Sequence, residues 1–193
     1  MRILMLTSVY KDEFLGNKDT STNIVNSFVK EWKKQGHEVL VIHNSHCYPR
    51  VIHEIPEKLK KSLAARMGFA ISDYDAVKEK EYQDNGVKVF RLPIKKFIPH
   101  SQPSDNVIKR QVNKIVATLK KEKFEPDVIT GHWASPQMEI ISELKTIYHC
   151  KTAVVLHGTG YIESPKFNAE EYLKNIDSLG ARSLSQAKQI KTS

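Results

Sequence analysis

Along this 193-residue chain, short apolar runs rich in β-branched residues alternate with longer stretches whose apolar positions recur at helical spacing. The first run, Arg2 to Thr7, reads as a strand, and the later run from Thr152, bounded by glycines, reads as one buried on both faces. After a polar loop containing Gly16, residues Ile24, Val25, Phe28, Val29 and Trp32 mark one face of a helix beginning near Ser21 or Thr22. Lys33 and Lys34 favour the negative end of its dipole, and Gly36 supplies a C-terminal stop. Glu38 to His43 is the second strand, and such short connections imply a parallel, right-handed strand–helix–strand unit.

The alternation continues. Val87 to Leu92 reads as a third strand, entered from the turn signal Asp84-Asn85-Gly86 and closed by Pro93. From Asn106 a helix directs Ile108, Val112, Ile115, Val116 and Leu119 inward, with Lys109, Arg110, Lys114, Lys120 and Lys121 outward. Pro126 precedes a fourth strand, Asp127 to Gly131. Ser135-Pro136 reads as an N-cap and first-turn proline for a helix with an inward stripe of Met138, Ile141, Leu144 and Tyr148. Thr152 to Leu156 is a fifth strand, and a last helical region runs from Asn168, with Glu171 as capping-box partner, through Tyr172 and Ile176 towards Ile190. No sixth strand is expected.

The fold class expected is α/β: a single-domain, Rossmann-like, doubly wound parallel sheet in the order 3-2-1-4-5. Strand 1 then lies beside strand 4, and the crevice at the reversal is lined by the loops after strands 1, 4 and 5. Those loops carry Gly16, His132 and His157.

Composition narrows the partners. With 30 Lys plus Arg against 22 Asp plus Glu, the chain favours anionic partners or is simply kept soluble by its charge. Cys47 and Cys150 are too few for a disulfide framework and lack metal-ligand spacing, as expected of thiols in a reducing compartment. The opening MRILMLTSVYKDEF is too brief for a signal sequence, and no later run approaches a membrane span. A cytoplasmic location is expected, with peripheral contact at the inner membrane face left open. The segment Arg50 to Phe69 bears on that contact. Pro56 starts a helix with Leu59, Leu63 and Met67 on one face and Lys58, Lys60, Lys61 and Arg66 on the others, suited to an anionic membrane or to a solvated cover on the sheet edge. Nucleic acid is not expected, since the basic residues lack interleaved aromatics.

Three stretches are candidates for chemistry. Gly16, Asn17, Thr20, Ser21 and Thr22 lead into the first helix, whose N-terminus attracts anions; an ordinary capped surface loop is the alternative, because no glycine-rich dinucleotide or phosphate-loop motif is present. Gly131-His132-Trp133 ends strand 4, and His157-Gly158-Thr159-Gly160 ends strand 5. Histidine bonds sugar hydroxyls or phosphates and moves protons near neutrality, and glycine behind it lets a ligand approach the backbone. No metal site is expected, because His43, His46, His53 and His149 are scattered and no metal motif occurs.

The stretches RILMLTSVY, TSTNIVNSFVKEWKKQGHEVLVI, DVITGHWASP and VVLHGTGY together resemble the amino-terminal half of a glycosyltransferase of the GT-B fold, most closely family 4, also called group 1. The resemblance covers essentially the whole chain. It implies an acceptor-side domain of a retaining, metal-independent enzyme that uses a nucleotide sugar as substrate and no cofactor. It places His157 opposite the transferred sugar as the catalytic residue, and Gly16, Asn17, Thr20, Ser21 and Thr22 beside the donor diphosphate. His132, Trp133, Gly158 and Thr159 would border the acceptor cleft. Many such enzymes carry a glycine pair in the first loop, where this chain has one glycine.

The expected function is binding of a glycan or glycolipid acceptor in cell-envelope or extracellular polysaccharide synthesis. The second, nucleotide-sugar domain is expected to lie outside residues 1–193, leaving this domain inactive alone. Glu163 and Glu171 have the seven-residue separation of that domain's glutamate pair, but they flank a helix start here and the match is taken as accidental. The alternatives are a non-catalytic partner or membrane-docking subunit, and a stand-alone flavodoxin-like phosphate-binding domain.

Overall fold

A computed structural model describes residues 1–10, 23–67, 71, 73–96, 102–158 and 169–192. Its centre is a seven-stranded sheet. The five expected strands are β1 (Arg2–Thr7), β2 (Glu38–His43), β5 (Val87–Arg91), β7 (Val128–His132) and β8 (Lys151–Leu156). They are parallel and ordered β5-β2-β1-β7-β8, the order expected from the chain pattern. Central positions such as Leu4, Met5, Leu6, Val41 and Ile42 are fully buried, which accounts for their continuous apolar runs, whereas β8 is corrected: it buries Thr152, Val154 and Leu156 but leaves Ala153 and Val155 half-buried, because it lies beside the edge strand.

Two strands extend the sheet beyond that pattern. β4 (Lys80–Asp84) runs antiparallel to β5, and Asn85 and Gly86 between them have φ of 48° and 75°. Positive φ at both central residues is the hairpin turn that matches strand twist. At the other edge β9 (Ser178–Ala181) pairs parallel with β8. The expected continuous final helix is therefore corrected: it divides into α7 (Ala169–Leu173) and α8 (Leu184–Thr192) with β9 between them. Asp177 fixes this crossover, accepting hydrogen bonds from the Thr152 backbone N–H and the Lys145 ammonium.

Beyond β2 and β5, the short strands β3 (His46–Cys47) and β6 (Ile94–Lys95) pair parallel and prolong the same ladder. Between β3 and β4 lie α2 (Arg50–His53), α3 (Glu57–Met67) and α4 (Tyr74–Val77).

Helices cover both faces. α1 (Ile24–Lys34) buries Val25 and Val29 on one face, and ends where Gly36 takes φ of 81° and the His37 N–H reaches the Trp32 carbonyl. α5 (Asp105–Glu122) and α6 (Gln137–Tyr148) cover the other, packing on each other and, through α6, on α7. Pro136, rather than Ser135, occupies the N-cap position of α6. Flanked by β7, β8, α5 and α7, the helix buries Gln137 and Glu139 as well as its apolar stripe.

Candidate functional site

β7 and β8 run in register with His132 opposite Val155, so the residue after Leu156 projects past the ladder beside the end of β7. There His132 Nδ1 lies 2.9 Å from His157 Nε2. Trp133 has φ of 71°, a left-handed conformation that a bulky side chain adopts at a cost of about 1–3 kcal/mol. Its N–H donates to the Val155 carbonyl at 3.0 Å. The indole stacks on the His157 ring, with centroids 4.2 Å apart and planes 12° from parallel. From α1, the Phe28 ring approaches His132 at 5.3 Å. Phe28 had been assigned to the inward stripe of α1; instead it is 40% exposed and belongs to this rim.

Burial, then the neighbouring imidazole, pushes His132 down to about 4. Burial also lowers His157, with Arg182 adding to the effect. Both rings are therefore neutral near pH 7, and a bond between neutral imidazoles uses one N–H and one lone pair. The arrangement suits hydrogen bonding to a polar ligand more than donation of a proton from an imidazolium.

Strand alternation sends the residue before His132 the other way. A Cβ on Gly131 would stand 2.8 Å from Ile141 Cδ1 and 3.0 Å from Gln137 Cβ, so glycine lets α6 close onto β7. The closed side carries a buried amide network. Gln137 accepts from Asn44 Nδ2 at 2.8 Å and donates to Ser8 Oγ at 2.6 Å. Gln111 donates to Asn44 Oδ1 and to the Leu92 carbonyl, both at 2.8 Å. Nearby Glu139 is 4% exposed; it accepts from Ser135 Oγ at 2.5 Å, while its Oε2 has no hydrogen-bond partner among the described residues. Burial raises this carboxyl to about 7 against the opposing effects of the Ser135 bond and Lys96. Burial lowers Lys96 and takes His46 down to about 4.

The structure thus brings His132, Trp133 and His157 together, with Gly158 exposed beside them. His132 is only 1% exposed and meets Phe28 and His157. Gly16, Asn17, Thr20, Ser21, Thr22 and Thr159 lie outside the described residues. Lys58, Lys61 and Arg66 are exposed, but Lys60 is corrected: it is 6% exposed and pairs with Asp73 at 2.5 Å. Leu59, expected on the apolar face of this helix, is 57% exposed, because Lys60 takes the inward position. Among the described residues no group of three or more His, Cys, Asp or Glu is placed to hold a metal ion, and no helix is long and apolar enough to cross a membrane.

Sequence reasoning missed Phe28, Asn44, Gln111, Gln137 and Glu139 as neighbours of the strand ends. The only signal for Gln111 was its position within the apolar stripe of α5, between Ile108 and Ile115; the rest meet across the fold.

No protein-family model matches the chain, and no curated protein matches it. Solved structures do. The UDP-GlcNAc 2-epimerase of Methanocaldococcus jannaschii superposes with a TM-score of 0.52 at 12% identity, covering 100% of this chain and 42% of the epimerase. The E. coli trehalose-6-phosphate structure bound with UDP-2-fluoro glucose gives 0.53 at 10% identity, over 96% of this chain and 41% of the other. The OtsA apo structure gives 0.55 at 10% identity, over 97% and 42%. Similarity at this level shows the fold, a Rossmann-like half of the GT-B architecture. The chain spans about two-fifths of the length of these structures.

Proposed function

We propose that this domain is the acceptor-side half of a retaining glycosyltransferase of the family 4 type. It would help move a sugar from a nucleotide-sugar donor to a glycan or glycolipid acceptor in cell-envelope or extracellular polysaccharide synthesis. The observation that carries this reading is the His132–His157–Trp133 cluster at the carboxyl ends of adjoining parallel strands, where open α/β sheets bind ligands. The names of two structural neighbours include a sugar nucleotide, UDP-GlcNAc in one and UDP-2-fluoro glucose in the other, which supports a substrate of that class.

In this reading His157, half-buried and neutral near pH 7, makes a hydrogen bond to a hydroxyl of the transferred sugar. Trp133 supports the histidine from one face and keeps water off that side. The left-handed backbone at Trp133 serves this contact, since it turns the indole onto the imidazole. Residues Gly16, Asn17, Thr20, Ser21 and Thr22 approach the donor diphosphate, and a second domain supplies most of the donor pocket. Trp133, Gly158 and Thr159 border the acceptor.

The test is transfer from a panel of radiolabelled nucleotide sugars to envelope extracts, using the full gene product and the isolated 193-residue domain. The full product should transfer label, the isolated domain should not, and His157→Ala should lower kcat by about 100-fold or more. Transfer by the isolated domain, or an unaffected His157→Ala enzyme, refutes the reading.

The exposed Lys58, Lys61 and Arg66 favour a second reading, docking on an anionic membrane. Replacing the three by glutamine should weaken sedimentation with phosphatidylglycerol-containing vesicles by up to about 100-fold, on the order of 1 kcal/mol per charge near the surface. Unchanged sedimentation removes it.

A further inference from the structure

We propose that His132 is a positioning residue: through the single proton shared between its Nδ1 and His157 Nε2, it holds His157 in one ring orientation and one tautomer, leaving only Nδ1 of His157 to meet a ligand. This deepens the reading of the site given above, in which His157 meets the transferred sugar.

His132 itself is poorly placed to touch a ligand. It is 1% exposed, its backbone is paired on both sides, opposite Thr7 of β1 and Val155 of β8, and Phe28 stands 5.3 Å from its ring. It is thus a fixed point. His157 lies one residue beyond β8, next to exposed Gly158, so side-chain contacts must set its ring.

Two contacts do this, and they constrain different motions. Stacking on Trp133, 4.2 Å away and 12° from parallel, fixes the plane of the imidazole. A stack tolerates a half-turn about the Cβ–Cγ bond, which leaves the plane in place and exchanges nitrogen for carbon around the ring. The 2.9 Å bond from Nε2 to His132 removes that freedom, because the turned ring would present carbon in place of Nε2. With both rings neutral, the proton of this bond also fixes the tautomer: its presence on His132 Nδ1 makes His157 Nδ1 a donor, and its presence on His157 Nε2 makes Nδ1 an acceptor. Either way, a ligand hydroxyl meets one defined partner rather than a mixture.

The side-chain amide of asparagine occupies the place of imidazole Nδ1, while that of glutamine reaches the place of Nε2. His132→Asn should therefore keep the function of His132, and His132→Gln should lose it.

The experiment is nitrogen NMR of the His157 ring in the 193-residue protein, with variants His132→Phe, His132→Asn and His132→Gln. The unmodified protein should show one pyrrole-type and one pyridine-type nitrogen at pH 8, where the lowered imidazole is neutral. His132→Phe and His132→Gln should show the two signals moving towards their average, and His132→Asn should keep them apart. Averaged signals in the unmodified protein, or separate signals persisting in folded His132→Gln, would overturn the proposal. Should His132→Phe fail to fold, the Asn and Gln pair carries the test.

In the full gene product, His132→Gln should lower kcat about tenfold with the donor KM within about twofold, and His132→Asn should restore most of it. The two failures are separable. Absence of transfer with His157 in a single tautomer refutes the glycosyltransferase reading alone, whereas transfer that proceeds with a tautomer mixture refutes the role of His132 alone.

Discussion

On the α1 face the strands end in rings. Phe28, His132, Trp133 and His157 meet one another, and three of them keep solvent contact. On the α5–α6 face the same sheet ends in Asn44, Gln111 and Gln137, whose amides bond to one another, to Ser8 and to the Leu92 carbonyl. β7 feeds both faces through adjacent residues, Gly131 towards α6 and His132 towards α1. The closed face is a rigid backing for the open one. Its three amides are bonded to protein and resist displacement, while the open face holds rings able to exchange solvent for a ligand.

The faces also answer pH with opposite sign. The Glu139 carboxyl holds its proton in the folded state up to about pH 7, whereas the unfolded chain releases it near 4.5. The native state binds the extra proton between those values, so stability falls as pH rises through that window. His132 titrates at about 4 when folded and near 6.5 when unfolded, so stability falls as pH drops through that window. Each effect amounts to about 3 kcal/mol at its limit. Between about pH 4.5 and 6.5 the Glu139 effect offsets part of the acid loss, to which His46, also lowered to about 4, adds.

The contrast can be broken most severely at Gln137. Gln137→Leu leaves the Asn44 amide without its acceptor and Ser8 without its donor, and should cost roughly 2–5 kcal/mol in urea denaturation. A change within 0.5 kcal/mol would show that the closed face is no rigid backing. Glu139→Gln sharpens the comparison at somewhat smaller cost or gain. Glutamine can still accept from Ser135 but does not ionise, so the variant should gain up to about 3 kcal/mol relative to the parent at pH 8 and none at pH 4. The acid limb from His132 and His46, both lowered to about 4, should then remain in its stability–pH curve. A parallel offset at both pH values would remove Glu139 as the source of the alkaline loss.

The parallel core was legible because buried strands of a doubly wound sheet are continuous apolar runs, and Arg2–Thr7 and Glu38–His43 contain such runs, while Val87–Arg91 was marked by the turn signal before it and Pro93 after it. The sheet edges were not. In β4, KEYQD, only Tyr82 is buried, and the strand is held by the Asn85-Gly86 turn and pairing with β5. In β9, SLGA, no residue is fully buried, and pairing with β8 creates the strand. Weak amphipathic patterns like these are easily overridden by tertiary pairing.

His132 and His157 could be placed at strand ends from sequence, since each terminates an apolar run before or within a glycine-flanked turn. Their hydrogen bond across 25 residues could not, and neither could the Gln137–Ser8 bond across 129. The chain by itself determined which residues form the five central parallel strands, their order, and which two histidines stand at the ends, because hydrophobic periodicity and short right-handed crossovers are local rules. Only the tertiary structure decided that one histidine is buried behind the other, that Lys60 turns inward, and that a glutamate is almost fully buried. Those outcomes depend on register, helix packing and desolvation, which arise when distant segments remove one another from water.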